Sequence, residues 1–230
     1  MTKPTKKIKI WSFETSQNLA SCLDFVEGYK RVLTDQNINF LKSIDYTALS
    51  TQAQYGILAS YEGEIIGGLL LYHPTESLPS FPFKTTTLNT QANSPYEVEI
   101  IPKTAEIVAV WNAKKVAGWG LSYVLLKAGL ALSVYLGFDK TLYLTADYNI
   151  RLVEKLGLEL LRVKGHDIFY HFEPNAFQAR AYLHLFDMNK YSYSKKEKDA
   201  IIEIAKAEQL TTNEAVLGSF LEIEYTLALG

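Results

Sequence analysis

The sequence lacks the residues that several kinds of chemistry require. It has a single cysteine, Cys22, in 230 residues. That excludes an internal disulfide and any multi-cysteine metal site. Its histidines, His73, His166, His171 and His184, are scattered, with no HExxH or comparable ligand spacing, so no metal is expected. There is no GxSxG nucleophile elbow and no GxxxxGK[ST] phosphate loop. No apolar run approaches the roughly 18 residues of a membrane span. The polar start Met1-Thr2-Lys3-Pro4 does not read as a signal peptide, and a cytoplasmic protein is expected. Excess charge is also missing: the formal net charge is −2, which gives no bulk attraction to nucleic acid or an anionic membrane, and neither is expected as a partner.

What is present is ordinary for a globular chain: 48% hydrophobic and 21% charged residues. The length allows one large domain or a domain with an appendage. Ile8 to Phe13 alternates as a strand. Ser16 is placed to cap a helix carrying Leu19, Leu23, Val26, Tyr29 and Leu33 at helical spacing. The segment 37–49 is ambiguous between helix and loop. Tyr55 to Ser60 and Glu64 to Tyr72 read as a hairpin turning at Glu62-Gly63, and Gly67-Gly68 inside its second strand marks a bulge or a close backbone approach. The segment 73–95 is a long loop without periodicity, and its Phe81-Pro82-Phe83 would suit the wall of an acceptor pocket.

The most informative stretch is Glu106 to Leu136. Ile107 to Val110 is a short apolar strand. After a polar corner, Lys115-Val116-Ala117-Gly118-Trp119-Gly120 makes a small-residue turn. Leu121, Val124, Leu125, Ala128, Leu132 and Leu136 then recur with helical period. Strand, glycine turn and helix in that order make an anion site: glycines admit a ligand to the backbone, the first helical amides have no internal partner, and the helix dipole is positive there. Two glycines can also simply join a strand to a helix. No third glycine stands at the dinucleotide-binding spacing.

Lys115 to Gly120 resembles the [RQ]xxGx[GA] signature of the GNAT superfamily of acyl-CoA-dependent N-acyltransferases, with lysine in place of arginine or glutamine. The resemblance runs in order from Ile8 to Phe172. It implies an α/β fold with a mixed, mostly antiparallel sheet flanked by helices over residues 1–173. Residues 174–230 would be a helical C-terminal extension packed on the domain or at a dimer contact, with a final helix starting near Thr212 and an apolar face of Ala215, Val216, Phe220 and Leu221.

The resemblance implies acetyl-CoA or coenzyme A as cosubstrate, a small-molecule or peptide amine as acceptor, and the amides of Val116, Ala117, Gly118, Trp119, Gly120, Leu121 and Ser122 as the pyrophosphate cradle, with Lys115 adding charge. Backbone of Val108, Ala109 and Val110 would meet the pantetheine arm and polarise the thioester, and Asn149 would contact that arm or cap its helix. Glu106, at the head of the strand, is the candidate base. Period-two counting puts it on one face with Val108 and Val110. Glu97 and Glu99 are backups. The family's acid, a tyrosine four residues before the glycine closing the next helix, is replaced by Val153, leaving Tyr148 as a weak substitute. Three options stay open: the thiolate leaves unprotonated, another residue serves, or the chain binds an acyl thioester without turnover. A longer acyl donor is a further alternative.

Overall fold

The computed structural model describes residues 5–35, 53–73, 89–90, 103–163, 166–171, 180–190 and 195–229. Segment 37–49, Phe81-Pro82-Phe83, and Glu97 and Glu99 lie outside them.

The chain begins with β1 (Lys6–Glu14) and α1 (Leu19–Asp35), then the hairpin β2 (Tyr55–Tyr61) and β3 (Glu64–Tyr72). Glu62 and Gly63 turn it with φ of 51° and 82°, both positive as a type I′ turn requires. β4 (Asn89–Thr90) is a two-residue strand inside the segment read as a loop. β5 (Thr104–Asn112) and α2 (Leu121–Tyr135) follow as the sequence predicts, and β6 (Lys140–Ala146) and α3 (Ile150–Lys155) come next. Short strands β7 (Glu159–Leu160), β8 (Arg162–Val163) and β9 (His166–His171) lead to β10 (Arg180–Asp187), α4 (Lys195–Lys206), β11 (Leu210–Val216) and β12 (Ser219–Thr226).

The strands form one sheet in the order β11-β12-β1-β2-β3-β5-β6-β10-β9-β4, with β7 on β10 and β8 on β9. Only β1 with β12 and β5 with β6 are parallel among the described pairs. The sheet is therefore mixed and mostly antiparallel, as expected. Alternation sorts its side chains onto two cores. Ile57, Leu69, Leu71 and Ile107 face α2, while Leu58, Leu70, Val108 and Trp111 face Phe25 and Val32 of α1. Gly67 and Gly68 serve one core each. A Cβ on Gly67 would lie 3.0 Å from Leu121 and Leu125 of α2, and one on Gly68 would lie 3.0 Å from Phe25 of α1. The pair lets both helices approach the sheet closely.

Two expectations are corrected. The cap of α1 is Asn18, whose Oδ1 accepts from the Ser21 amide at 3.0 Å, while Ser16 binds Glu14 instead. The helix is also rotated from the expected face: Leu19 and Leu23 are exposed, and Cys22, Phe25, Gly28 and Val32 are buried. The second correction is larger. Residues from Thr212 onward are a hairpin, not a helix. β11 and β12 turn at Leu217-Gly218 with φ of 49° and 80°. Leu221, Ile223 and Tyr225 are buried on one face with Glu222 and Glu224 on the other. β12 continues the main sheet beside β1. The physical reason is this strict alternation, which pairs along β1 in a way a helix could not.

The hairpin and α4 also explain α2. That helix is buried on nearly every side, including Leu126, Leu130 and Ala131. A helix apolar all round must be covered all round. The sheet covers one face, and Ile201, Ile204 and Val216 of the C-terminal segments belong to the same core.

Candidate functional site

The site is built where β5 changes its pairing. Against β3, Gly68 faces Trp111 and Leu70 faces Val108, so Leu69 alone opposes Ala109 and Val110. The extra residue is a β-bulge, with Ala109 held at φ 51°. The bulge reverses the alternation after it. Ala109 packs with the α1 core and Val110 with the α2 core. Val110 is thus on the opposite face from Val108, which corrects the period-two reading. Glu106 precedes the bulge and keeps its place on the face of Val108.

On its other edge, β5 pairs with β6 only from Thr104↔Lys140 to Ile107↔Tyr143. β6 continues to Ala146 paired to β10 alone. Val108, Ala109 and Val110 therefore have no ladder partner on β6, and a gap opens between the two parallel strands at the bulge.

The turn into α2 lies at the end of this gap. Lys114–Val116 forms a single 3-10 turn. The amides of Val116, Ala117 and Trp119 donate back to Ala113, Lys114 and Val116. Those of Gly118, Gly120, Leu121 and Ser122 donate to no carbonyl among the described residues, as the first amides of a helix do. Ser122 Oγ donates to Asn112 Oδ1 at 2.6 Å, tying the first turn of α2 to the end of β5. Gly118 and Gly120 have φ of 79° and 81°. A Cβ on Gly118 would meet nothing within 4 Å, whereas one on Gly120 would lie 2.3 Å from Val216 Cγ1. The cradle is open at Gly118 and closed by the C-terminal hairpin at Gly120.

The side chains at the signature point elsewhere. Lys115 is ion-paired with Glu64 and lines a cavity on the side of α1 with Glu27 and Arg31. Trp119 stands edge-on to Tyr61, with Lys6 Nζ 4.1 Å above its ring.

Glu106 is 1% exposed and sits across the ladder from Tyr72. Burial first, and the Glu106 carboxylate second, hold the Tyr72 hydroxyl above the ordinary tyrosine value. Val153 is wholly buried in the α2 core, so the expected acid position is a packing position. Tyr148 is exposed, on the turn between β6 and α3; desolvation and Asp147 raise its pKa. Tyr143 is pushed up to about 12, mainly by desolvation. Asn149 occupies the N-cap position of α3 without making a side-chain capping bond.

A cavity of about 760 Å³ lies among α2, α3, α4 and β11. Tyr123 of α2 and Tyr148, Asn149, Arg151 and Lys155 at α3 line one side; α4 and β11 line the other. Beside it is a buried ionic cluster that sequence reading missed. Lys127 Nζ lies 2.7 Å from Glu214 and 2.9 Å from Glu197, and the Tyr225 hydroxyl donates to Glu214 at 2.8 Å. Its signal was one lysine inside the otherwise apolar α2 run.

No protein-family model and no curated protein matches the chain. Solved structures do. An acyl-CoA N-acyltransferase from Pseudomonas aeruginosa is 11% identical with a TM-score of 0.53, over 77% of this chain and 98% of that one. Escherichia coli ElaA is 9% identical with a TM-score of 0.53, over 78% and 99%. BjaI, a CoA-dependent acyl-homoserine lactone synthase solved with SAM and isopentyl-CoA, is 12% identical with a TM-score of 0.56, over 95% and 93%. The chain has the fold of the GNAT acyl-CoA N-acyltransferases.

Proposed function

We propose that this protein is an N-acyltransferase that moves an acetyl or other acyl group from coenzyme A directly to a primary amine. The observation that carries the reading is the bulge at Ala109. It parts β5 from β6 beside the unfilled amides of Gly118, Gly120, Leu121 and Ser122. An extended arm with an anionic end fits that geometry: phosphates at the head of α2, and the arm in the gap beside Val108 to Val110.

In the reaction the amine nitrogen bonds to the acyl carbon and the carbon–sulfur bond breaks. The electron pair leaves on sulfur, and the amine's proton passes to Glu106 through water. A backbone amide of the unpaired β5 edge polarises the thioester carbonyl. Because the Tyr143 and Tyr148 hydroxyls are raised, they hold their protons more tightly than a thiol of ordinary pKa ~8.5 would. Tyr143 packs against the α2 core, and Tyr148, exposed on the turn between β6 and α3, is the hydrogen-bond donor to the departing sulfur.

A second reading changes the donor. The match to BjaI spans 95% of this chain, including the C-terminal segments, and this favours a longer acyl thioester. Thermal stabilisation by coenzyme A, acetyl-CoA and a longer acyl-CoA, beside an NAD control, tests the cosubstrate by mass action. Thiol release over a panel of amines then tests turnover. Stabilisation without thiol release from any amine would leave a silent acyl-CoA-binding module; no stabilisation by any CoA species would overturn the reading.

A further inference from the structure

The sheet ends on β11, which pairs with β12 alone among the described strands. An edge strand presents unpaired backbone N–H and C=O groups, and proteins guard such edges with proline, a bulge, exposed charge or a very short strand. β11 has none of these guards. It runs for seven residues, Leu210–Val216, without proline, and its register with β12 is unbroken. Its exposed side chains, Thr211, Asn213 and Ala215, are uncharged. Its single charge, Glu214, points to the α2 side and is taken up by Lys127 and Tyr225.

The neighbouring strands carry the charge that the edge lacks. On the same face, Glu222 and Glu224 of β12 stand beside Lys7 and Lys9 of β1, with Lys7 Nζ 2.9 Å from Glu222. α1 covers this face no further than Trp11 and Phe13 of β1. Charge thus occupies the inner open strands and stops one strand short of the edge, the reverse of the order that keeps an edge in water. The exposed Leu217 and Phe220 lie at the tip of the same hairpin.

The sequence of β11 suits its own copy. In a two-fold antiparallel pair, residue i faces residue j and j faces i. Alternation has period two, so side chains keep their own faces only if the axis passes at a residue. With the axis at Asn213, apolar Leu210 meets the copy's Val216, Thr211 meets Ala215, and the Thr212 hydroxyl meets Glu214. The two Asn213 amides, each both donor and acceptor, meet at the axis. An axis at Glu214 would oppose two carboxylates, and one at Thr212 would set Leu210 against Glu214.

We propose that β11 joins β11 of a second copy about a two-fold axis at Asn213, making one continuous sheet through a homodimer. The proposal stands independently of the acyl-transfer reading.

Sedimentation velocity of the full chain over a dilution series tests it. Wild type should sediment as a dimer that dissociates on dilution. Positions 211 and 215 are about 13 Å apart along one strand and face each other only across this interface, so charges placed there report on it. Thr211→Lys with Ala215→Lys opposes like charges twice and should weaken the dimer about tenfold or more. Thr211→Lys with Ala215→Glu opposes unlike charges and should keep the dimer at wild-type strength or better. Both variants carry the same change at 211, and their melting temperatures establish that each is folded. A wild type that is monomeric at every concentration would overturn the proposal and leave the edge to a strand of another protein. Larger assemblies, or equal dimer affinity in the two folded variants, would also overturn it.

Discussion

Val216 and Gly120 are in direct apposition: a Cβ placed on Gly120 would lie 2.3 Å from Val216 Cγ1. The turn that opens α2 and the hairpin that closes the chain are therefore one packed unit, and the two glycines of the turn have different duties. Gly120 makes room for the protein's own side chain. Gly118 leaves room for something else.

Substitutions at the two glycines should separate these duties. Gly120→Ala should destabilise by about 1–3 kcal/mol, from its positive φ and the clash, and Val216→Ala should recover part of the loss; the melting temperature reads both. At Gly118, asparagine and aspartate have the same shape and tolerate positive φ. Gly118→Asp should bind coenzyme A about tenfold or more weakly than Gly118→Asn, since only the first sets a negative charge at the cradle. Equal affinities would remove Gly118 from the site.

Glu106→Gln keeps the shape of a fully buried side chain beside Tyr72. Turnover should fall by about 10²–10⁴-fold, the usual contribution of a positioned base, with coenzyme A affinity retained. A full-rate variant in steady-state assays at neutral pH would exclude Glu106 as the base.

Val153→Tyr would restore the family's tyrosine at the expected spacing. Val153 is 0% exposed, so the larger ring should overpack the α2 core. The expected outcome is a loss of about 1–3 kcal/mol in chemical denaturation and no gain in turnover. An accelerated variant would mean that position 153 can reach the reacting sulfur.

Lys127 holds two carboxylates with its own side chain only 6% exposed. Lys127→Met should cost about 3–5 kcal/mol, because Glu197 and Glu214 are left facing each other without a cation. Adding Glu214→Gln should return part of that loss, a coupling that a double-mutant cycle measures.

Stability should fall at alkaline pH. Burial and the adjoining carboxylates hold Tyr225 and Tyr123 well above the ordinary tyrosine value, and Tyr143 is at about 12. Between the unfolded tyrosine pKa of ~10 and the folded values, the unfolded chain has lost protons that the folded chain keeps. The contribution of these tyrosines is complete below pH ~10 and is lost as pH rises through the folded values. Tyr143→Phe should flatten that part of the stability–pH curve, followed by denaturant midpoint.

The local order of this fold was legible because its periods are strong. The apolar run 107–110, the glycine turn and the α2 repeat each stand on contiguous residues, and Glu62-Gly63 is a recognisable hairpin turn. The C-terminal hairpin was misread because its turn, Leu217-Gly218, has leucine where asparagine is usual. The burial alternation of Leu221, Ile223 and Tyr225 was there to read, but it was masked by an equally plausible helical grouping of Ala215, Val216, Phe220 and Leu221. The face of α1 was misread because Leu19 and Leu23 extend the apolar stripe in sequence without being covered.

By itself the sequence determined a strand, a glycine turn and a helix in that order inside a mixed sheet, since backbone freedom and side-chain period are properties of neighbouring residues. Only the tertiary structure decided which amides of the turn stay unfilled, on which face Val110 lies, and that Val153 is core. It alone brought Lys196 and Leu217 to the same cavity as Arg151. Those depend on a one-residue bulge and on the pairing of β12 with β1, a contact between the two ends of the chain that no local pattern encodes.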